Sequence, residues 1–419
     1  MGKDQPLWAG AVVASSTSWS PAFIQELLPA AKKTSLLYHQ SYLCLAKFPE
    51  LERLIRSRAV ETQLLFASSE AVLLKCVCTS DNLVQSLFPI LKVAVQKDKS
   101  DIAVKYLDKA RKWIKEIIDD VDELVKKYDE HNKAVAKTTS DIDTKKTETD
   151  QKIKNQTKEM NDLEAHLKKC QDDLTLNANR QCSVQNEYDN TNSNLESVVR
   201  SAASRNKGLA FLMSVVPFFG AIIGAIRERK AYEKDMAKIR VLENDLNRLS
   251  SEKSTLKQEA WRIQANMADI QMKLAMAKVE LGTVPSTDHL EDVKCCLSRI
   301  QEILVQLQKF WKKVDVILKY LQEKTFVAED LIDVLPEFKT EFLHSITVAE
   351  QVWKVFGQNC HKVNGIFSVQ SKDAYKFLES SPSALSKEEW QIQYTAVKKR
   401  MEQIYSSQSA IEESSAITQ

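Results

Sequence analysis

The sequence predicts an all-α protein, an elongated up-down helical bundle with a long antiparallel coiled-coil hairpin and an apolar tongue at the tip of the hairpin. Strong helix breakers are scarce: the 419 residues include 8 Gly and 9 Pro, and residues 90–207 contain neither. Apolar residues recur at heptad spacing on both sides of one uncharged run, residues 208–226. No segment alternates between apolar and polar residues for long enough to predict a strand.

The N-terminal segment, residues 1–20, is predicted to be partly buried. Its apolar stretch, Leu7–Ala14, is short and is preceded by a single basic residue, Lys3, so the pattern does not favour a cleaved signal peptide. The N-myristoylation pattern also fails, because Pro6 stands where that pattern needs Ser or Thr.

Residues 21–152 are predicted to form helices of the tail bundle. A first helix should extend to about residue 46, and Pro49 suits the start of a second helix that extends to about Cys78. The polar residues 79–82 predict a turn after it.

A short helix that contains Pro89 is predicted next. From Ser100 a heptad seam begins. The polar stretch 137–150 interrupts the seam and is either a turn or a hydrated part of one continuous helix.

Residues 153–281 are predicted to form the hairpin. Along its second arm, eleven of the twelve residues at heptad spacing are apolar. The overall hydrophobic content of 43% would predict about five apolar residues in twelve. These positions are Leu242, Leu246, Leu249, Lys253, Leu256, Ala260, Ile263, Met267, Ile270, Leu274, Ala277 and Leu281. The first arm repeats the pattern less regularly, and Ile153 and Leu281 both lie 64 positions from Pro217. Helical arms of that length would extend roughly 95 Å each.

Residues 286–405 are predicted to return to the tail bundle. Asp288 and Glu291 form a capping box, and the helix after it has an apolar residue at every heptad step over residues 290–321.

Further helices are predicted at about 327–356 and 372–380. A second capping box, Ser386 and Glu389, marks the start of a last helix. The Ser-rich residues 406–419 are predicted to be a flexible tail.

The composition argues against an enzyme and against a nucleic-acid-binding protein. The 59 basic and 57 acidic residues are interspersed, as on solvated helix surfaces. The sequence has no glycine-rich phosphate loop, no H-E-x-x-H motif, no nucleophile elbow and no zinc-type spacing of Cys and His. We therefore predict no catalytic residue, metal site or cofactor, and we expect the eight cysteines to be buried free thiols.

The uncharged run contains the candidate functional residues. It has nineteen residues with Pro217 at its centre, and basic residues flank it on both sides. The candidates for membrane insertion are Gly208, Leu209, Phe211, Leu212, Met213, Val215, Val216, Pro217, Phe218, Phe219, Gly220, Ile222, Ile223, Gly224 and Ile226, and the flanking basic residues are Arg205, Lys207, Arg227, Arg229 and Lys230. A run this apolar is costly to leave in water and too short to make a globular core.

Three arrangements of this run are compatible with the sequence. One continuous helix would span roughly 28 Å, just enough for a bilayer core, but Pro217 and the basic residues at both ends weigh against it. A hairpin would return both ends to one side of a membrane, which agrees with the symmetric flanks and arms. The third arrangement, a segment buried under other helices, is compatible with a hairpin that is released later. Gly220 and Gly224 give one limb a small-residue face for close helix contacts.

Long helices that are interrupted at mid-chain by one apolar tongue, GLAFLMSVVPFFGAIIGAI, resemble the cytolysin A type of α-pore-forming toxins. That group includes helical components of bacterial haemolysin and enterotoxin complexes. The resemblance covers most of residues 20–405. It implies a soluble helical body with the tongue folded away, a switch on contact with lipid, and assembly into a ring. Residues 1–20 depart from the family, because they do not form the amphipathic first helix that some members thread through the membrane.

The predicted function is that of a membrane-inserting, pore-forming protein, a soluble form that becomes a membrane oligomer when the tongue is released. Its expected partners are a lipid membrane and further copies of itself, with or without a second related component. We expect it to be soluble first, either cytoplasmic or secreted without a clear signal peptide, and membrane-associated afterwards. One alternative is a coiled-coil scaffold or tether that the hairpin anchors to a membrane without a pore. Another is a soluble coiled-coil adaptor whose tongue stays buried.

Overall fold

The computed structural model describes residues 27–97, 99–150, 158–205, 222–223, 226–227, 232–280, 288–323 and 336–417. Long α-helices make up nearly all of these residues. They are α1 (Leu27–Cys44), α2 (Pro49–Asn82), α3 (Phe88–Gln96), α4 (Ser100–Asp150), α5 (Lys158–Ser204), α6 (Glu233–Glu280), α7 (Asp288–Leu321), α8 (Pro336–Ala374) and α9 (Lys387–Ile417). No strand occurs within the described ranges, so the predicted all-α class is confirmed.

Helices α1–α4 and α7–α9 form the body of the protein, and within it α4 and α7 run antiparallel to each other. On α7, Gln322 donates a hydrogen bond to Asp108 of α4 at 2.8 Å, and Gln308 donates one to Asp122 of α4 at 3.2 Å. Residue numbers therefore rise along one helix as they fall along the other. Such neighbours are typical of an up-down bundle, in which each apolar stripe is buried against the next helix.

Trp311 of α7 lies at the centre of the body and is fully buried. Its indole N–H donates to the sulfur of Cys76 on α2 at 3.2 Å, and its ring lies 5.5 Å from that of Trp353 on α8. Phe310 and Phe356 pack around the same pair of rings. One aromatic cluster thus joins α2, α7 and α8.

The predicted turn at residues 79–82 was wrong, because α2 continues through it to Asn82. Ser80 is buried there and its hydroxyl donates to the Cys76 carbonyl at 2.8 Å. A Cβ added to Gly357 of α8 would meet the Cβ of Ser80 at 3.2 Å, so the two helices approach closely at this point. Tertiary packing therefore keeps a locally polar segment helical. A π-helical turn, Leu83–Leu87, joins α2 to α3.

The polar stretch 137–150 is a continuous part of α4. The hydroxyls of Thr139, Thr144 and Thr147 each donate to the carbonyl four residues earlier, which satisfies these side chains within the helix. Ile142 anchors the stretch in the apolar core.

Helix α8 is also longer than predicted, since it spans Pro336–Ala374 without the break expected after residue 356. Buried Cys360 and Val363 hold its later turns against the body. The capping box at the start of α9 is confirmed: Ser386 N–H donates to the Glu389 carboxylate at 2.9 Å, and Glu389 N–H donates to the Ser386 hydroxyl at 3.2 Å. Helix α9 continues to Ile417, into the segment predicted to be a flexible tail.

Helices α5 and α6 form the predicted antiparallel hairpin. Arg248 lies 2.9 Å from Glu187, and Arg205 lies 2.5 Å from Asp235. These pairs are symmetric about residues 217–220, so the centre of the hairpin falls where the heptads placed it. Far from this centre the two arms share a small core of their own, Met160, Leu167, Cys170, Met267, Ile270 and Leu274.

All eight cysteines are free thiols, and five of them are buried. Cys78, Cys182 and Cys295 are exposed, which corrects the expectation that every thiol is buried. Each of the three lies on an outward face of its helix.

Candidate membrane-insertion site

The described part of the uncharged run lies after Pro217, in residues 218–226, which we call the second limb. The described residues of this limb are buried. Ile222, Ile223 and Ile226 are 1%, 2% and 0% exposed, although their sequence alone gives them no partner. They belong to the same continuous apolar cluster as the core of the body. The arrangement in which this run is covered by other parts of the chain therefore holds for these three residues.

Apolar residues at the adjacent ends of the two hairpin arms belong to the same cluster as these isoleucines. The residues around the start of α6 and the end of α5 that share their cluster are Leu195, Val199, Ala202, Ala203, Tyr232, Met236 and Ile239. The two adjacent alanines near the end of α5 are small, and they are fully buried. Small side chains at such a position let neighbouring segments pack closely.

Arg227, which directly follows the run, contacts α6. A guanidinium nitrogen of Arg227 lies 3.6 Å from the carboxylate of Glu243. Glu243 stands ten residues after the first residue of α6, or roughly 15 Å along the helix. Arg227 therefore lies beside the first turns of α6.

Two ion pairs hold the charged flanks of the run. Besides the contact of Arg227 with Glu243, Arg205 pairs with Asp235 at 2.5 Å and lies 5.5 Å from the centre of the Tyr232 ring. Burial raises the pKa of Glu243, and the two nearby guanidinium groups oppose that shift. Both arginine side chains are about half exposed, so each pair contributes at most about 1 kcal/mol.

A third ion pair connects this end of the hairpin to the body. Lys313 of α7 lies 3.6 Å from Glu196 of α5. Further from the tongue, the Trp261 indole N–H of α6 donates to the Met401 carbonyl of α9 at 3.0 Å, and Lys398 pairs with Asp269 at 2.7 Å. The hairpin is therefore attached to the body in two separate regions.

The other candidate residues lie outside the described part of the chain. They are Lys207, Gly208, Leu209, Phe211, Leu212, Met213, Val215, Val216, Pro217, Phe218, Phe219, Gly220, Gly224, Arg229 and Lys230. Of the candidates, the structure describes Arg205, Ile222, Ile223, Ile226 and Arg227: the isoleucines lie in the apolar core, and each arginine pairs with a carboxylate of α6.

Sequence reasoning missed the acidic partners Asp235 and Glu243. Both occur just after the run, in an arm whose acidic and basic residues alternate, so their charge alone does not distinguish them. The useful signal was the basic flank itself, because basic residues beside a buried apolar segment need nearby carboxylates.

Among the described helices, none combines the length and the apolar character that a membrane span requires. The described residues also contain no group of three or more His, Cys, Asp or Glu side chains that could hold a metal ion.

Fold and site together define an all-α hairpin protein that stores part of an uncharged run against its own core. The chain is similar to the solved structure of a Bacillus cereus HblL1 toxin component, with 12% identity and a TM-score of 0.40 over 83% of this chain and 98% of that one. It is also similar to PaxB from Photorhabdus luminescens, with 12% identity and a TM-score of 0.15 over 88% and 96%. No protein-family model and no curated protein sequence matches the chain. These two likenesses are too low to carry an argument about activity.

Proposed function

We propose that this protein makes lipid membranes leak, by releasing the buried isoleucines at 222, 223 and 226 and inserting residues 208–226 into a bilayer as an oligomer. The observation that carries the proposal is the burial of Ile222, Ile223 and Ile226, which belong to an uncharged run with ion-paired flanks. The protein acts here without catalytic chemistry. Its partners are the membrane and further copies of the chain, with or without a second related component.

Lipid can trigger release because the main cost of release is the exposure of apolar side chains to water. Exposing a buried isoleucine to water costs about 1.5–3 kcal/mol, so in solution these three isoleucines favour the buried state. Moving the same side chains from the protein core into hydrocarbon removes most of that cost, since both surroundings are apolar. Among the described contacts, the two ion pairs of the flanks would also have to break, and they are weak because their arginine side chains are about half exposed.

The run is too short to cross a bilayer by itself. A nine-residue limb on either side of Pro217 covers only roughly 13 Å as a helix, whereas a bilayer core is about 30 Å thick. The neighbouring stretches 195–207 and 227–239 would have to follow the limbs inward. Their charged residues, such as Glu196 and Arg200, would then face a water-filled lumen or adjacent chains instead of lipid.

A reversible chemical link between residue 227, just after the second limb, and residue 243 of α6 tests this proposal. Arg227→Cys and Glu243→Cys are combined with serine at the exposed positions Cys78, Cys182 and Cys295, and the pair is linked with a bismaleimide that contains a reducible disulfide. We expect dye release from liposomes before linking, loss of release after linking, and recovery on reduction. The matched control links Glu187→Cys with Arg248→Cys across the arms of the hairpin, which leaves the limb free to move.

The outcomes separate the candidate functions. Release that persists with a verified 227–243 tether would contradict the proposal. Binding to liposomes without release, over a broad range of lipids, would favour a membrane tether instead. Loss of release in the 187–248 control would show that the whole hairpin has to open.

A further inference from the structure

Helix α2 has a second apolar face, which points away from the body. Six exposed, uncharged residues recur along this face at alternating spacings of four and three positions. They are Val60, Leu64, Ala67, Ala71, Leu74 and Cys78. We call these six residues the outer seam. Leu64 is 64% exposed and Leu74 is 48% exposed, while Phe66 and Leu73 on the opposite face are buried in the core.

The spacing of the outer seam is that of a coiled-coil interface. Single exposed leucines are ordinary on protein surfaces, but six uncharged residues at consecutive heptad positions form a continuous stripe. The stripe extends over 18 residue steps, or roughly 27 Å. A helix that is apolar on two faces is stable when both faces are covered.

The charges beside the outer seam select the partner and its direction. Glu70 precedes Ala71, and Lys75 follows Leu74. In a parallel, in-register pair of α2 helices, Glu70 of each helix faces Lys75 of the other. An antiparallel pair would instead bring the two Glu70 carboxylates together.

Both charged groups are available for such contacts. Glu70 forms no hydrogen bond or ion pair with any described residue. The Lys75 side chain is 46% exposed, and its ammonium group pairs with Asp120 of α4, which leaves further N–H donors free.

We infer that the outer seam of α2 is an interface at which a second copy of this chain docks through its own outer seam, in parallel and in register. Ala67 and Ala71 at the middle let the two backbones come close, and Leu64 and Leu74 pack against their counterparts on either side. The interface is short compared with a standard protein–protein interface of about 1,600 Å², so the dimer is a reversible one.

Sedimentation of the full chain without lipid tests the dimer. We expect the mass to rise from 47.6 kDa towards twice that value between about 1 µM and about 100 µM. Leu64→Glu with Leu74→Glu should keep the chain monomeric with its helical circular dichroism unchanged. Leu176→Glu with Ile392→Glu is the matched control, since those side chains are 59% and 68% exposed elsewhere, and it should dimerise like the original chain. A chain that stays monomeric throughout, or a control that loses the dimer equally, overturns the inference.

The native thiol at Cys78 tests the direction. In a chain with Cys182→Ser and Cys295→Ser, mild oxidation should link Cys78 of the two copies, and the L64E/L74E variant should lose this link. If Val60→Cys links to Cys78 of the second copy instead, the pair is antiparallel and the inference fails. Neither measurement contains lipid, so its failure is distinct from failure of the membrane-leakage proposal.

Discussion

At the scale of single residues, His39 connects two helices that are far apart in sequence. It lies on α1, and its imidazole Nε2 is 3.1 Å from the side-chain oxygen of Gln393 on α9. The ring stacks on Phe377 with centroids 4.5 Å apart. Burial lowers the pKa of His39 to about 4, and the hydrogen bond that its imidazole donates to the Gln393 side-chain oxygen only partly offsets the effect.

This pKa makes stability depend on pH in a definite direction. The unfolded chain takes up a proton on His39 near its ordinary pKa of 6.5, whereas the folded chain does so only near 4. The contribution is therefore fully present above pH 6.5 and is lost as the pH falls towards 4. We expect the free energy of unfolding in urea to fall by about 1–2 kcal/mol between about pH 7 and about pH 5 because of this group.

His39→Gln should remove that part of the pH dependence, and His166→Gln, at an exposed position on α5, should leave it in place. An equal pH dependence in the original chain and in His39→Gln would contradict the assignment. His131 does not interfere with the comparison, because it is present in all three chains. Burial lowers its pKa as well, against the attraction of Glu61.

At the scale of helices, heptad spacing predicted the elements that depend on local pattern. The hairpin and α7 follow from apolar residues that recur every three or four positions, because such a seam needs only one facing helix. The same reasoning failed where tertiary contacts override local preference. Buried Ser80 against Gly357 is the example: neither residue favours a helix interior, yet their close packing keeps both α2 and α8 continuous.

The stored limb shows a second boundary of sequence reasoning. Composition indicated that residues 208–226 avoid water, but it left a spanning helix, a hairpin and a buried segment open. The contact of Arg227 with Glu243 places Arg227 beside α6, and it joins residues sixteen positions apart. No periodic pattern marks such a contact, because it depends on tertiary packing.

Charges placed in the run should abolish lipid binding. We expect Phe211→Asp, Val215→Asp and Phe219→Asp together to prevent the protein from floating with liposomes, because a charge at membrane depth costs about 2.5–3.5 kcal/mol. The matched control places aspartate at Leu176, Val241 and Ile392, which are exposed apolar residues elsewhere. Flotation of the first variant at the level of the control would contradict the assignment of the run as the inserting segment. Helical circular dichroism should be similar in both variants, since neither changes a seam of the hairpin.

At the scale of the whole molecule, the hairpin is attached to the body in two separate regions. Near the tongue it contacts α7 through Glu196, and further along it contacts α9 through Trp261 and Asp269. Between these regions the arms pack mainly on each other, around Val184, Leu249 and Leu256. The end that stores the limb can therefore rearrange while the second attachment stays in place.

The dependence of the leak rate on the amount of membrane-bound protein tests how many molecules act together. Because one tongue is too short to cross a bilayer and the charged stretches beside it need shelter from lipid, a single inserted chain leaves its polar groups exposed to hydrocarbon. We expect the initial rate of dye release to rise on the order of the second power of the membrane-bound protein, or more steeply, since neighbouring chains have to meet first. The bound amount is measured by flotation, so that the binding step does not enter the slope. A rate that is linear in bound protein would mean that one chain opens the membrane by itself, and the oligomer would then have no part in the leak.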